Sequence, residues 1–93
     1  MGTIHPTYIT GTFHVPGANA AIAQLVAGQI LRLEREPHNL HDRNAIAVYS
    51  FDRRLGFVPA VKARIIAPQM DEGRSVVCRY AKGRRGSIDI EVE

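Results

Sequence analysis

Cysteine occurs once in these 93 residues, as Cys78. A single thiol excludes an intrachain disulfide and a zinc cluster built on cysteines, and it fits a reducing compartment. No apolar run approaches the roughly 20 residues that a membrane-spanning helix needs. The N-terminus also lacks the charged and apolar blocks of a secretion signal. A cytoplasmic protein with no membrane association is therefore expected. Internal repeats, linkers and low-complexity segments are missing as well, so residues 1–93 are expected to form a single domain.

Nothing assembles a catalytic set. Cys78 falls mid-strand among Val76, Val77 and Tyr80 with no base beside it, which is the setting of a buried, inert thiol. Glu34 and Glu36 alternate along a strand next to arginines and read as one solvated face. His38 and His41 are three apart, with Asp42 adjacent and His14 a conceivable neighbour, but a firm third ligand is missing. Neither enzymatic activity, nor a metal, nor any other cofactor is expected.

What is present is an ordinary folding composition, 45% hydrophobic and 23% charged, well away from disorder. The net charge of +3 is unevenly spread. Residues 1–50 balance Arg32, Arg35 and Arg43 against Glu34, Glu36 and Asp42, so the whole excess lies in residues 51–93. The surplus leans toward a polyanionic partner such as nucleic acid.

Residue patterning predicts six short strands and two short helices. The strands are Thr7–His14, bent at Gly11, then Gln29–Glu34, Ala45–Ser50, Arg54–Val58, Arg74–Ala81 and Ser87–Glu93. Ala18, Ala21, Ile22, Leu25 and Val26 recur at helical spacing within Ala18–Ala27, with Gly28 placed to cap the end. Val61, Ile65, Ile66 and Met70 define a second helix that stops at Gly73, with a kink or a break expected at Pro68. So many short strands in so small a chain predict a mainly β, OB-like or SH3-like six-stranded barrel, because closure removes exposed sheet edges.

The loop Arg35–Ala45 (REPHNLHDRNA) stands out between two strands. It holds two Asn, an Asp, two His, a Pro and two Arg, which is poor core material and good material for a ligand grip. Asn in such loops bonds the local backbone, and this is the first expectation for Asn39 and Asn44. Two readings of Asp42 stand: a ligand contact, or an ion pair with Arg43 or Arg35 that only holds the loop. Phe13 likewise has two readings, in the core or against a ligand, and strand alternation then sends His14 the other way. Arg32, Arg35, Arg43, Lys82, Arg84 and Arg85 could follow a phosphate backbone if their loops meet on one side of the barrel.

GTFH at Gly11–His14, GQILRLEREPHNLHDRNAIAVY at Gly28–Tyr49, LGFVPA at Leu55–Ala60 and APQMDEG at Ala67–Gly73 together resemble the HIRAN domain. The likeness covers roughly two-thirds of the chain, and the last two strands match only in kind. It implies a small OB-related barrel, of a family found alone in bacteria and phages or fused to helicases and nucleases, whose repair-helicase members grip the 3′-hydroxyl end of single-stranded DNA. On that resemblance Asp42 accepts a hydrogen bond from the terminal hydroxyl, and His41, Phe13 and His14 stack on or cradle the last nucleotides. Arg35, Asn39 and Arg43 complete the expected contacts, with the two arginines beside phosphates. Leu40-His41 stands where Pro-Tyr is common in the family, which reduces both the stacking surface and the stiffness of the loop. The function implied is a non-enzymatic recognition module for single-stranded DNA 3′ ends in repair or processing. Two alternatives are a protein-interaction module that pairs through the barrel edge and an accessory subunit of a helicase or nuclease assembly.

Overall fold

A computed structural model describes residues 2–93. Six strands form one antiparallel sheet: β1 (Thr3–Tyr8), β2 (Ile30–Arg35), β3 (Ile46–Ser50), β4 (Arg53–Phe57), β5 (Val76–Tyr80) and β6 (Ser87–Val92). Their order across the sheet is β1-β6-β5-β2-β3-β4. Two helices are inserted, α1 (Ala18–Ala23) and α2 (Ala60–Asp71). The sheet curls into a half-barrel, and the fold is mainly β and OB-like, as the patterning predicts. β6 shows the cause most plainly: Ile88, Ile90 and Val92 point inward and are buried, while Asp89 and Glu91 between them are not. Their partners in the core are Leu31, Ile46, Val48, Leu55 and Cys78 from the other strands, with Ile22 of α1 and Ala63, Ile66 and Ala67 of α2 closing the ends.

The two outer strands of the curled sheet meet at one place. Thr10, just past β1, exchanges both backbone hydrogen bonds with Phe57 of β4, each at 2.8 Å. Gly56 makes that approach possible. A Cβ there would overlap the Thr10 carbonyl oxygen and stand 2.9 Å from Ile9 Cγ2, so any larger residue pushes the two edges apart.

The opening segment departs from the expected strand Thr7–His14. β1 starts earlier, at Thr3, and Pro6 is tolerated because β1 pairs on one side only, with β6. Pairing then stops at Thr10, and Thr12–His14 form a single 3₁₀ turn. Gly11 causes the change: its left-handed backbone (φ 72°) turns the chain out of the sheet. α1 is shorter than its spacing suggests. It ends at Ala23, and the N–H of Val26 is satisfied by the side-chain oxygen of Gln29 instead of by a further turn. Pro68 does not divide α2, which runs unbroken from Ala60 to Asp71. Its ring lies on the exposed side in the last turns, so the loss is limited to the one bond that proline cannot donate.

Cys78 is buried and free. Loss of water pushes its thiol up to about 12, with the Asp89 charge adding to the effect. The folded state therefore keeps its proton where the unfolded chain, near 9.0, releases it. Stability from this group is intact below about pH 9 and falls as the pH rises toward 12. Two outcomes follow. A thiol-specific reagent at pH 8 should leave Cys78 unlabelled until denaturant is added, and rapid labelling of the native protein contradicts this packing. Gly56→Ala should lower stability by about 1–3 kcal/mol or more in chemical denaturation, whereas wild-type stability means the edges do not touch as described.

Candidate functional site

Closure at Thr10 and Phe57 sets the 3₁₀ turn beside the loop between β2 and β3. A groove of about 620 Å³ opens between them. His14 comes from one side, and Asn39, His41 and Asp42 come from the other. Ala45, Phe57, Val58 and Ala60 supply an apolar floor. Among the described residues no carboxylate other than Asp42 lines it, so an acceptor stands against an apolar surface.

The loop is held by its own side chains. Glu36 N–H donates to the Ala45 carbonyl at 2.9 Å, which closes the loop at its neck. Asn39 Oδ1 accepts from the backbone N–H of His41 (2.8 Å) and of Asp42 (3.2 Å). Its amide nitrogen donates to Glu36 Oε1 at 3.0 Å. Asp42 Oδ1 accepts from the N–H of Asn44 at 2.8 Å, a turn of the kind Asp forms with the backbone two residues on. One oxygen of Asp42 is thus used to fix its own direction, and the other has no donor among the described residues.

Arg35 is the clamp under this loop. Its Nε and Nη2 grip the two oxygens of Asp71, at the end of α2, at 2.9 and 3.1 Å. Nη1 donates to the Ala45 carbonyl at 2.7 Å and Nη2 to the Arg43 carbonyl at 3.0 Å. These bonds hold the Asp71 carboxyl below its ordinary range. Four of the guanidinium's five N–H groups are spent this way, so Arg35 shapes the loop and has little left for an incoming phosphate. The ion-pair reading of Asp42 is overturned by the same contacts, because Arg35 pairs with Asp71 and Arg43 meets no carboxylate among the described residues. Arg43 stays exposed and outside the groove lining.

Phe13 is 93% exposed, so its core reading falls. Of the two neighbours it is His14 that faces the groove, while Phe13 stands in solvent beside it. Leu40, where the family's proline is common, is 98% exposed at the loop tip.

Residues that the sequence alone did not point to complete the site. Arg54 pairs with Glu36, the residue that holds Asn39. Its guanidinium also donates to Tyr49 Oη at 3.2–3.3 Å and lies 5.0 Å from the Phe57 ring centre. Tyr49 is in turn covered by Arg32 at 4.2 Å, and Arg32 is paired with Glu34. A ladder of cations and rings thus runs over the outside of β2, β3 and β4 and ends at the groove floor, bracing Glu36 on the way. Tyr49 and Phe57 are two of only six aromatic residues classed as Phe or Tyr, and that scarcity is the signal that could have marked them. Asn39→Ala should destabilise the protein by about 1–2 kcal/mol and speed amide exchange selectively at His41 and Asp42. Unchanged exchange at those two amides means that Asn39 does not hold the hook.

The HIRAN domain family model matches residues 5–93. Among solved structures, a protein from Lactobacillus plantarum superposes with a TM-score of 0.81 at 20% identity, over 99% of this chain and 95% of that one. The HIRAN domain of human HLTF superposes with a TM-score of 0.78 at 18% identity, over 96% of this chain and 74% of that one. No curated protein matches the sequence. At such identities the structures speak for the fold alone, whereas the family match spans nearly the whole chain, the hooked loop and the closing glycine included. The chain belongs to the HIRAN domain family.

Proposed function

We propose that this domain binds single-stranded DNA and seats the 3′-hydroxyl end in the groove between the 3₁₀ turn and the β2–β3 loop. The observation that carries the reading is the meeting of His14 with Asn39, His41 and Asp42 across an apolar floor, from segments more than twenty residues apart. The free oxygen of Asp42 suits a terminal hydroxyl as donor, and a bond of that kind to a charged acceptor contributes about 1.5–3 kcal/mol. A 3′-phosphate would bring negative charge against the same carboxylate. His41 and His14 offer flat faces to the last bases, for which stacking contributes about 1–3 kcal/mol per base without regard to sequence. Phe13 and Arg43 are exposed, and in this reading Phe13 stacks on a base outside the groove and Arg43 meets a phosphate. Arg35 serves this function indirectly, by holding the carbonyls of Arg43 and Ala45. The domain supplies recognition and no chemistry, as suits a module acting beside a helicase or nuclease in DNA repair or processing.

A titration with labelled oligonucleotides tests this reading. A 3′-hydroxyl strand should bind about 10- to 100-fold more tightly than the same strand ending in 3′-phosphate. Asp42→Ala should erase most of that difference. Equal affinity of the wild type for both ends removes end recognition, and absence of binding at low salt removes the module reading altogether.

A further inference from the structure

The end of the sheet away from the groove carries a feature that strand recognition does not use. β3 runs from Ile46, next to the groove residue Ala45, to Ser50, and the turn Phe51-Asp52 then leads into β4 at Arg53. At about 3.3 Å per strand residue, this turn lies roughly 16 Å from the groove. Phe51 has a left-handed backbone (φ 54°), and among the described residues it is the only one besides glycines to do so. A bulky side chain is strained in that conformation, and tight turns between strands place glycine, asparagine or aspartate there. No packing within the fold offsets the strain, because Phe51 is 84% exposed. A hydrophobic ring held in water on a strained turn suits a contact made outside the chain.

The surface beside the ring is shaped to receive another like it. A depression of about 830 Å³ opens next to Phe51, with Ala21 of α1 and Leu25 just after it as apolar lining. Gln29 ties the two sides together: its Oε1 accepts from Val26 N–H at 3.2 Å and its Nε2 donates to Ser50 Oγ at 3.3 Å. The hole is therefore built, with its width fixed by one side chain. Val26 and Ile30, at the two ends of the turn that Gln29 holds, are 67% and 58% exposed. Continuing the β2–β3 register two residues beyond Arg32 and Tyr49 sets Ile30 level with Phe51. Knob and hole thus share one face.

Charge decides what covers that face. Asp52 and Arg53, next to the ring, are both exposed, and neither forms an ion pair among the described residues. Arg53 is held over the start of α1, where a Cβ at Gly17 would stand 3.0 Å from its Nη1. One free acid and one free base side by side are self-complementary, since a twofold rotation brings each Asp52 to the partner's Arg53. A polyanion would be opposed by Asp52, and a wholly apolar partner would leave both charges unpaired. A second copy of this chain satisfies the ring, the hole and both charges at once.

We propose that this face is a symmetric self-association surface, in which Phe51 of each copy enters the depression beside Ala21, Leu25 and Gln29 of the other while Asp52 and Arg53 cross-pair. Its area is small, so the dimer belongs to the weak, transient class that buries less than about 1,200 Å². Both grooves stay open at the far ends of the pair. The proposal stands apart from the end-binding reading, and its test contains no nucleic acid.

Sedimentation velocity of the full chain between about 1 μM and 1 mM, a range that spans weak association, provides that test. The wild type should pass from monomer toward dimer across the range. Phe51→Gly should stay monomeric to the highest concentration while keeping or raising the thermal midpoint, because glycine accepts the left-handed backbone without strain. Asp52→Arg and Arg53→Asp should each weaken association by about 10-fold or more, as like charges then face each other. The double variant Asp52→Arg/Arg53→Asp should recover it, which no loss of folding could mimic. A wild type that remains monomeric at about 1 mM overturns the proposal. So does a dimer that Phe51→Gly leaves intact, or a double variant no better than the single reversals.

Discussion

The contact between the Thr10 backbone and Gly56 is the constraint from which the rest of this structure follows. It is small, two hydrogen bonds of 2.8 Å across a residue with no side chain, yet it joins the two outer strands of an otherwise open sheet. Once Thr10 lies on β4, the chain after it must leave the sheet beside Phe57, and Gly11 turns it there into the short turn that carries Phe13 and His14. The groove exists because that turn and the β2–β3 loop are brought to the same end of the curl. The β5–β6 turn is drawn in by the preceding residue, since Ile9 bonds Gly86. A single close approach therefore decides which surfaces become neighbours.

The loop contributes order of a different kind. Three of its polar side chains, Arg35, Asn39 and Asp42, are spent on holding its own backbone, which looks wasteful until the consequence for Asp42 is considered. Asn39 holds the amides of His41 and Asp42, the Asp42 carboxylate itself accepts from the backbone N–H of Asn44, Arg35 ties the exit of the loop to α2, and Glu36 is braced by Arg54. An acceptor held this way need not be immobilised when a ligand arrives, and the entropy of ordering it is met during folding. On the proposed reading, binding then depends on one free oxygen of Asp42 and the rings of His14 and His41.

Much of this was legible in the residues. Strands with strict alternation, such as Ser87–Val92, and the run Gln29–Tyr49 around its polar loop were readable because period and composition agree there. Where they failed to agree, the reading slipped. Thr12-Phe13-His14 has strand-like residues, but the left-handed backbone at Gly11 overrides them: the glycine marked a bend, while the end of the strand there is set by pairing at Thr10. Val26 looked helical by spacing, although a side-chain amide from Gln29 competes for its N–H. The convergence of His14 with His41 and Asp42 depends on barrel closure, which is a long-range event. The role of Arg35 was hidden for the same reason: its partner Asp71 lies 36 positions away, so an arginine in a basic-looking loop read as a phosphate contact. The family resemblance located the hook, whereas the ladder through Tyr49, Arg54 and Phe57 came only from cross-strand register.

The central claim is that closure at Gly56 builds one ligand groove from two distant segments. Backbone amide chemical shifts, followed while a short 3′-hydroxyl oligonucleotide is added, test it most directly. The account predicts that shifts concentrate together at His14, at Asn39–Asp42 and at Phe57–Ala60, and saturate along a single binding curve. Shifts confined to the opposite end, around Phe51 and the β3–β4 turn, or separate curves for the two segments, would contradict it.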